Sequence, residues 1–367
     1  ECMPIQTHFD KFNKKIYLTN QSDGYRKAKE KDQSILKDIK IAFNKAGYSV
    51  IDSFFQGSFA VDTAINSLED DFDIDRALII DKSKAPEDPI EPKKIVLKVL
   101  EDRQFKEPKI KKPCITADYK SINLHIDYTI YQHSSSLFFG DTYELAVGKL
   151  GSDSNNKEWS SSDPKGLIEW IDSTKDYGEN KLLKRKQYKR LVRYMKRWRD
   201  ESFNEEVRKK LFSIGLTIMI KEQYSPNIYS TELQNDLTVM KKVVDNILAE
   251  NYLQKEFFND QYRLFVDLPK KPSRNVFQHK IEGGSSQAGS DLNLGTQFYN
   301  KLILLQDKLQ KVIDESCEVE QCTLLNKVFG NDFAIPEKTG NTSTSKSAVA
   351  GAIYLPTAGA SGTSQGA

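Results

Sequence analysis

The chain has 367 residues, 38% of them apolar and 29% charged, which allows one large or two ordinary domains with real cores. Its net charge of +2 excludes a protein that binds nucleic acid through bulk charge alone. No run nears the roughly eighteen consecutive apolar residues of a membrane span, so no membrane partner is expected. The opening residues 1–12 lack the basic-then-apolar pattern of a signal peptide. The four cysteines (Cys2, Cys114, Cys317, Cys322) lack the paired spacing of a zinc site. A cytoplasmic protein with reduced thiols is the simpler expectation.

In chain order, residues 29–46 place Ile35, Leu36, Ile39, Ile41, Ala42 and Phe43 at helical spacing and predict an amphipathic helix. Residues 48–55 are a short aromatic and β-branched run, broken at Gly57. Residues 72–80 are the strongest strand pattern of the first half. Between residues 82 and 113 the chain is rich in Pro and Lys, with a helix expected near 93–103. Two more strands are expected at 115–119 and 122–131, joined by a Lys120-Ser121 turn. In the second, Ile122, Leu124, Ile126, Tyr128 and Ile130 alternate with Asn123, His125, Asp127 and Thr129, so one set faces a core and the other solvent or a site.

From Trp159 the pattern becomes helical. Asp163-Pro164 reads as an N-cap followed by proline in the first turn. Helices are expected over 181–199, 207–223, 233–251 and 298–326. After Pro336 the chain turns to Thr, Ser, Gly and Ala, a composition that buries too little apolar surface to order itself. The expected division is 1–158, 159–336 and a flexible tail over 337–367.

The informative stretch is Gln56-Gly57-Ser58-Phe59, followed by Asp70-Asp71-Phe72-Asp73-Ile74-Asp75. In a strand, Asp71, Asp73 and Asp75 share one face, about 7 Å apart from neighbour to neighbour. Carboxylates so spaced suit a pair of divalent ions, magnesium or manganese, beside a triphosphate. Asp127, on the polar side of its strand, supplies a third carboxylate from a second strand. One ion would then activate a 3′-hydroxyl while the other bridges the triphosphate. Gly57 lets the backbone come close to phosphates, and Ser58 can hydrogen-bond them. Acidic clusters are most often solvated loops. This one differs in being embedded in a strand, preceded by a Gly-Ser turn and matched by a lone acid on a later strand.

Gly57-Ser58, Thr63-Ala64-Ile65, Phe72-Asp73-Ile74-Asp75 and Ile126-Asp127 resemble the signature of the polymerase-β-like nucleotidyltransferases. Within that group the chain resembles the bacterial cyclic-oligonucleotide synthases related to cyclic GMP–AMP synthase (CD-NTases). Trp159 with Ser162-Asp163-Pro164, the basic helix ending Met195-Lys196-Arg197-Trp198, and Val328-Phe329-Gly330-Asn331-Asp332-Phe333 extend the resemblance over most of residues 10–336. It implies an α/β (α+β) fold: a nucleotidyltransferase lobe with a mixed sheet, plus a helical C-terminal lobe. It also implies template-free joining of nucleoside triphosphates into a cyclic di- or trinucleotide that signals to a downstream effector in anti-phage (CBASS) defence. The metal ligands and catalytic acids would be Asp73, Asp75 and Asp127. Asp71-Phe72-Asp73 fits the same Asp-apolar-Asp pattern, so Asp71 stays open as a replacement for Asp75. Arg76 departs from the pattern, since many relatives have an apolar or acidic residue there.

Gln56, Gly57 and Ser58 are the expected nucleotide-binding turn. By the resemblance, Lys196 and Ser213 match positions that contact nucleotide phosphates. Ten of the nineteen residues in 181–199 are Lys or Arg. Arg185, Lys189, Arg193 and Lys196 fall on one helical stripe, opposite Leu183, Leu191, Met195 and Trp198. The stripe is either a solvated face or a phosphate-contacting one, with Arg185 and Lys189 as further contacts. His125 lies on the face of Asp127, and Asn275 resembles part of a loop near the family's pocket. Some relatives are joined through their C-terminal carboxylate by a ubiquitin-activating-like (E1/E2-like) partner, which would make Ala367 the conjugation site here. Two rival functions stay open: a transferase acting on RNA or a small molecule, and a non-catalytic nucleic-acid- or protein-binding module using the basic helix.

Overall fold

Capping and alternation place most elements where the sequence suggests. The first half of the chain runs α1 (Ile5–Ile16), α2 (Asp23–Lys45), β1 (Val50–Gln56), α3 (Gly57–Ala60), β2 (Phe72–Asp81), α4 (Ile90–Asp102), β3 (Lys109–Ile110), β4 (Ile115–Tyr119), β5 (Leu124–Ser136), β6 (Gly140–Val147) and β7 (Glu158–Ser162). The second half runs α5 (Pro164–Asp172), α6 (Lys181–Ser202), α7 (Glu205–Lys210), α8 (Ser213–Gln223), α9 (Asp236–Ala249), β8 (Leu253–Lys255), β9 (Tyr262–Leu264), α10 (Leu294–Asp314) and α11 (Glu318–Phe329). These come from a computed structural model that describes residues 4–19, 21–66, 68, 72–120, 123–138, 140–258, 260–277 and 293–337. Glu1–Ile335 form one unit and Pro336–Ala367 another. Asp71, most of the 337–367 tail and the conjugation residue Ala367 lie outside the described residues.

Among the described residues the first half builds a seven-stranded mixed sheet in the order β1-β2-β5-β4-β3, with β6 on β5 and β7 on β6. Only β2 and β5 run parallel. At thirteen residues, β5 pairs β4 through its first half and β6 through its second. Ile74, Leu78 and Ile80 of β2 and Leu124, Ile126 and Ile130 of β5 bury one sheet face against Ile35, Ile39 and Phe43 of α2 and Val96 and Leu100 of α4.

The second half packs around α6. Its core takes in α1, whose Phe12 lies 5.3 Å from Tyr194 and 4.8 Å from Phe329 between ring centres. The Asp163 carboxylate accepts the Gly166 amide at 2.9 Å and starts α5 with Pro164 in its first turn. Two expected helices are interrupted. The 207–223 stretch splits into α7 and α8 because Arg199 draws off the Leu211 carbonyl at 3.1 Å, leaving buried Leu211 outside either helix. The 298–326 stretch splits at Glu315–Cys317, where the Gln321 side chain donates to the Val312 and Glu315 carbonyls and ends α10. No helix among the described residues is long and apolar enough to cross a membrane.

The basic helix departs from the expected amphipathic pattern. Leu191, Met195 and Trp198 are buried, but so are Lys184, Lys189, Arg193, Lys196 and Arg197, while Leu183 is exposed. Neighbours surround α6, so its cations point into seams of backbone carbonyls. Lys184 donates to the Tyr177 and Asn227 carbonyls. Arg193, Lys196 and Arg197 donate to the carbonyls of Asp62, Thr63 and Asn66, and Lys189 pairs with the Asp62 and Asp172 carboxylates. The solvated-face alternative is therefore wrong for the middle of this helix.

Candidate active site

Strand alternation builds the acidic side of the site. In the parallel β2–β5 pair, Asp75 stands directly beside Asp127 and Asp73 beside His125. The same rung continues to Gln56 on β1 and Thr116 on β4. Ile74 and Ile126 point into the sheet core, so the acids take the opposite face. Asp73 is exposed, and Asp75 and Asp127 are half-buried.

Gly57 follows β1 at φ +64, and a Cβ there would sit 2.1 Å from an Asp75 carboxylate oxygen. Both the backbone angle and the approach require glycine. Thr116 Oγ1 donates to Asp127, and Lys111 Nζ lies 3.6 Å from the same carboxylate. Burial, then the charge of Asp127, then that of Asp73 push the Asp75 carboxyl up to about 7, with Lys196 and Lys111 opposing. A cation would relieve that repulsion.

Carboxylate oxygens from two neighbouring strands suit a hard divalent ion such as magnesium in donor chemistry. Among the described residues, no three acidic, imidazole or thiol groups converge tightly enough to hold a metal as they stand. Thr116 and Lys111 both reach Asp127 through Oδ1, which leaves Oδ2 to face an ion.

A cavity of about 420 Å³ opens beside the acids, lined among others by Ser58, Asp73, Lys196, Arg199, Arg208 and Ser213. Lys196 Nζ donates to the Thr63 carbonyl at 2.8 Å, and burial followed by the Arg199 charge lowers its pKa to about 7. Arg199 donates to Ser213 Oγ at 2.8 Å. Carboxylate, hydroxyl and cation thus face one space, an arrangement able to bind a polyanion beside metal-seeking oxygens. Another cavity of about 400 Å³, lined by Gln187, Tyr224, Asn227 and Gln234 among others, contains none of the expected site residues.

The structure brings together Gly57, Ser58, Asp73, Asp75, Asp127, Lys196 and Ser213. It does not bring Arg185 and Lys189 to that cavity. At 1.5 Å of rise per residue they lie about 16 Å and 10 Å back along α6 from Lys196. Arg185 donates to the Asp172 carbonyl, and Lys189 is held between Asp62 and Asp172. Gln56 braces the strands, donating to Thr129 Oγ1 at 2.7 Å and accepting from the Tyr131 hydroxyl. His125 faces Asp118 at 3.5 Å. Asn275 ties its own loop, accepting from the Val266 and Phe277 amides. Sequence reasoning passed over Arg199, Arg208, Lys209 and Phe212, all of which line the cavity. Arg199 had a signal, since three residues after Lys196 it shares that helix face.

Residues 52–131 match the family described as cyclic GMP-AMP synthase DncV-like, nucleotidyltransferase domain. That interval runs from β1 into β5, holds all three aspartates with Gln56, Gly57 and Ser58, and is a nucleotidyltransferase domain. More particularly, the chain carries a DncV-like nucleotidyltransferase domain within the fold of the CD-NTases. The Bradyrhizobium diazoefficiens CD-NTase CdnG in complex with GTP superposes with a TM-score of 0.64 at 16% identity, covering 90% of this chain and 96% of that one. The E. coli MS115-1 CdnC:HORMA-deltaN complex gives 0.61 at 15%, covering 89% and 98%. Vibrio cholerae DncV cyclic AMP-GMP synthase with the linear intermediate 5′ pppA(3′,5′)pG gives 0.55 at 18%, covering 78% and 70%. By sequence, no curated protein matches the chain.

Proposed function

We propose that the chain is a cyclic oligonucleotide synthase that joins nucleoside triphosphates without a template and closes the product to a cyclic di- or trinucleotide. The product would signal to a downstream effector in anti-phage defence, in the cytoplasm. The observation that carries the reading is the Asp75–Asp127 rung on the parallel β2–β5 pair, with Gly57 packed against Asp75. The relatives support the substrate class, since the CdnG structure holds GTP and the DncV structure holds a linear dinucleotide. The working division is a catalytic lobe over 1–158, a helical lobe over 159–336 and a tail over 337–367.

In each step a ribose hydroxyl oxygen bonds to an α-phosphorus, the bond to pyrophosphate breaks, and the hydroxyl proton is lost. Asp73, Asp75 and Asp127 would hold magnesium, which when bound neutralises phosphate charge and acidifies the attacking hydroxyl. Ser58 and Ser213, which line the cavity, would hydrogen-bond phosphate oxygens, and Lys196 and Arg199 would offset their charge. Gly57 leaves room at the turn for the Asp75 carboxylate.

Incubating the protein with all four ribonucleoside triphosphates, magnesium and no primer should give short phosphatase-resistant products by mass spectrometry. Asp75→Asn should give none. Wild-type turnover in that variant, or products that appear only when RNA is added, would sink the reading. Conjugation at Ala367 by an E1/E2-like partner is part of the same proposal. Removing the last few residues should then block conjugation and spare nucleotide synthesis.

A further inference from the structure

One residue behind each rung carboxylate lies a buried polar group that the chemistry above does not use. Arg76 follows Asp75, Tyr128 follows Asp127, and the two are themselves partners across β2–β5. Both point to the sheet face away from the cavity, toward α2. There Asp32, fully buried on α2, receives them together. The Arg76 guanidinium donates through Nε at 3.1 Å and also through Nη2, and the Tyr128 hydroxyl donates to the other carboxylate oxygen at 3.3 Å. The guanidinium carbon sits 3.7 Å from the centre of the Phe55 ring, and Phe55 is the β1 partner of Arg76. Three strands and a helix are thus joined one step from the acids.

A buried ion pair is often no more stabilising than apolar side chains of the same volume. Stability alone is therefore a weak account of this one. Its position suggests another. Asp75 and Asp127 carry like charge on one rung, and their repulsion pushes β2 and β5 apart at that level. A contact holding both strands from behind opposes the push where it acts.

Resting on the site reading above, we propose that Asp32 is a positioning residue, bridging Arg76 and Tyr128 so that Asp75 and Asp127 stay at working separation. Displacements of about an ångström at a reacting centre can cost up to about a hundredfold in rate. A loosened bridge should therefore lower turnover and cation affinity while leaving triphosphate binding intact.

The test replaces the pair by apolar residues, Arg76→Met with Asp32→Leu, beside Tyr128→Phe and the control Asp75→Asn. The double variant should melt within a few degrees of the wild type and keep its KM for triphosphate within about twofold. Its kcat should fall about tenfold, and Mn²⁺ binding followed by the free-ion electron paramagnetic resonance signal should weaken several-fold. Tyr128→Phe, which removes a single hydroxyl, should show the same split at about threefold. Should the double variant fail to fold, Tyr128→Phe decides alone. Wild-type kcat and Mn²⁺ affinity in a folded double variant, or in Tyr128→Phe if only that folds, would overturn the proposal. If Asp75→Asn keeps full turnover, the site reading itself fails. If Asp75→Asn is dead while the double variant is fully active, only the positioning role is lost.

Discussion

The acidic rung and the basic helix α6 are both charge-rich stretches with clear periodicity, yet the structure treats them differently. In β2 and β5 the alternation maps directly onto two faces, because α2 and α4 cover one face and the cavity lies at the other. In α6 the stripe logic assumes that one side of the helix meets water. Here α1, α8, α9, α11 and the segment 62–66 surround it, so cations and apolar residues are buried together. The cations are mostly satisfied by backbone carbonyls, which no side-chain pattern reveals. Period alone does not tell a cationic face from a cationic interior.

The largest expected effect separates activity from stability within the rung. Asp127→Asn should cut turnover by about a thousandfold, the upper end for losing one key electrostatic group. It should also stabilise the metal-free protein. Asp75 is held at about 7 against an ordinary 3.8, so the folded state binds the extra proton between those values and loses stability as pH rises through them. Removing the Asp127 charge takes away one cause of that shift. Melting in EDTA at pH 8 should therefore move upward in Asp127→Asn. A lower melting temperature would mean that the weakened Thr116 and Lys111 contacts of Asp127 outweigh the repulsion relieved.

Next in size is Gly57→Ala. The added carbon would overlap an Asp75 oxygen, and the left-handed backbone angle costs a non-glycine residue about 1–2 kcal/mol. Turnover should fall about a hundredfold through displaced Asp75, with a melting temperature only a few degrees lower. Equal activity in Gly57→Ala would separate the turn from the chemistry.

Much of the sheet side was legible beforehand. Ile74 and Ile126 mark the core face, and the acids between them follow. The adjacency of Asp75 and Asp127 needed only the further inference that the two strands pair. What was not legible depends on partners remote in sequence. The break at Leu211–Phe212 is made by Arg199, and the end of α10 by Gln321. Arg76 read as an anomaly beside Asp75 because its partner, Asp32, lies forty-four residues earlier on another element. β6 and β7 escaped notice because Gly140–Val147 and Glu158–Ser162 mix apolar and polar residues without a sustained alternation.

Within α6, Lys189 and Lys196 lie only about 20° apart around the helix but about 10 Å apart along its axis, and they should behave differently. Lys196→Met should raise KM for triphosphate about tenfold, because that ammonium lines the cavity. Lys189→Met should leave KM unchanged and cost about 2 kcal/mol by urea denaturation. That figure sits below the range for fully buried pairs because the Asp62 partner is largely exposed. A raised KM in Lys189→Met would return that residue to the phosphate path.

The smallest effect is the most diagnostic. Burial, then the Arg199 charge, lower Lys196 to about 7, with Arg193 adding to the fall and Asp200 and Asp75 opposing it. A bound triphosphate favours the charged amine, so the complex holds a proton that the free protein has begun to lose. In EDTA, affinity should therefore fall as pH rises above about 7, by at most tenfold per unit. Asp75 also ionises near 7 and would weaken anion binding in the same direction, so the wild-type slope alone is ambiguous. In Asp75→Asn the two sources part. Losing that carboxylate removes one group that raises Lys196, so a Lys196-driven slope should persist and begin at lower pH. A slope that vanishes in Asp75→Asn belongs to the acid, and the buried lysine then takes no part in the pH response.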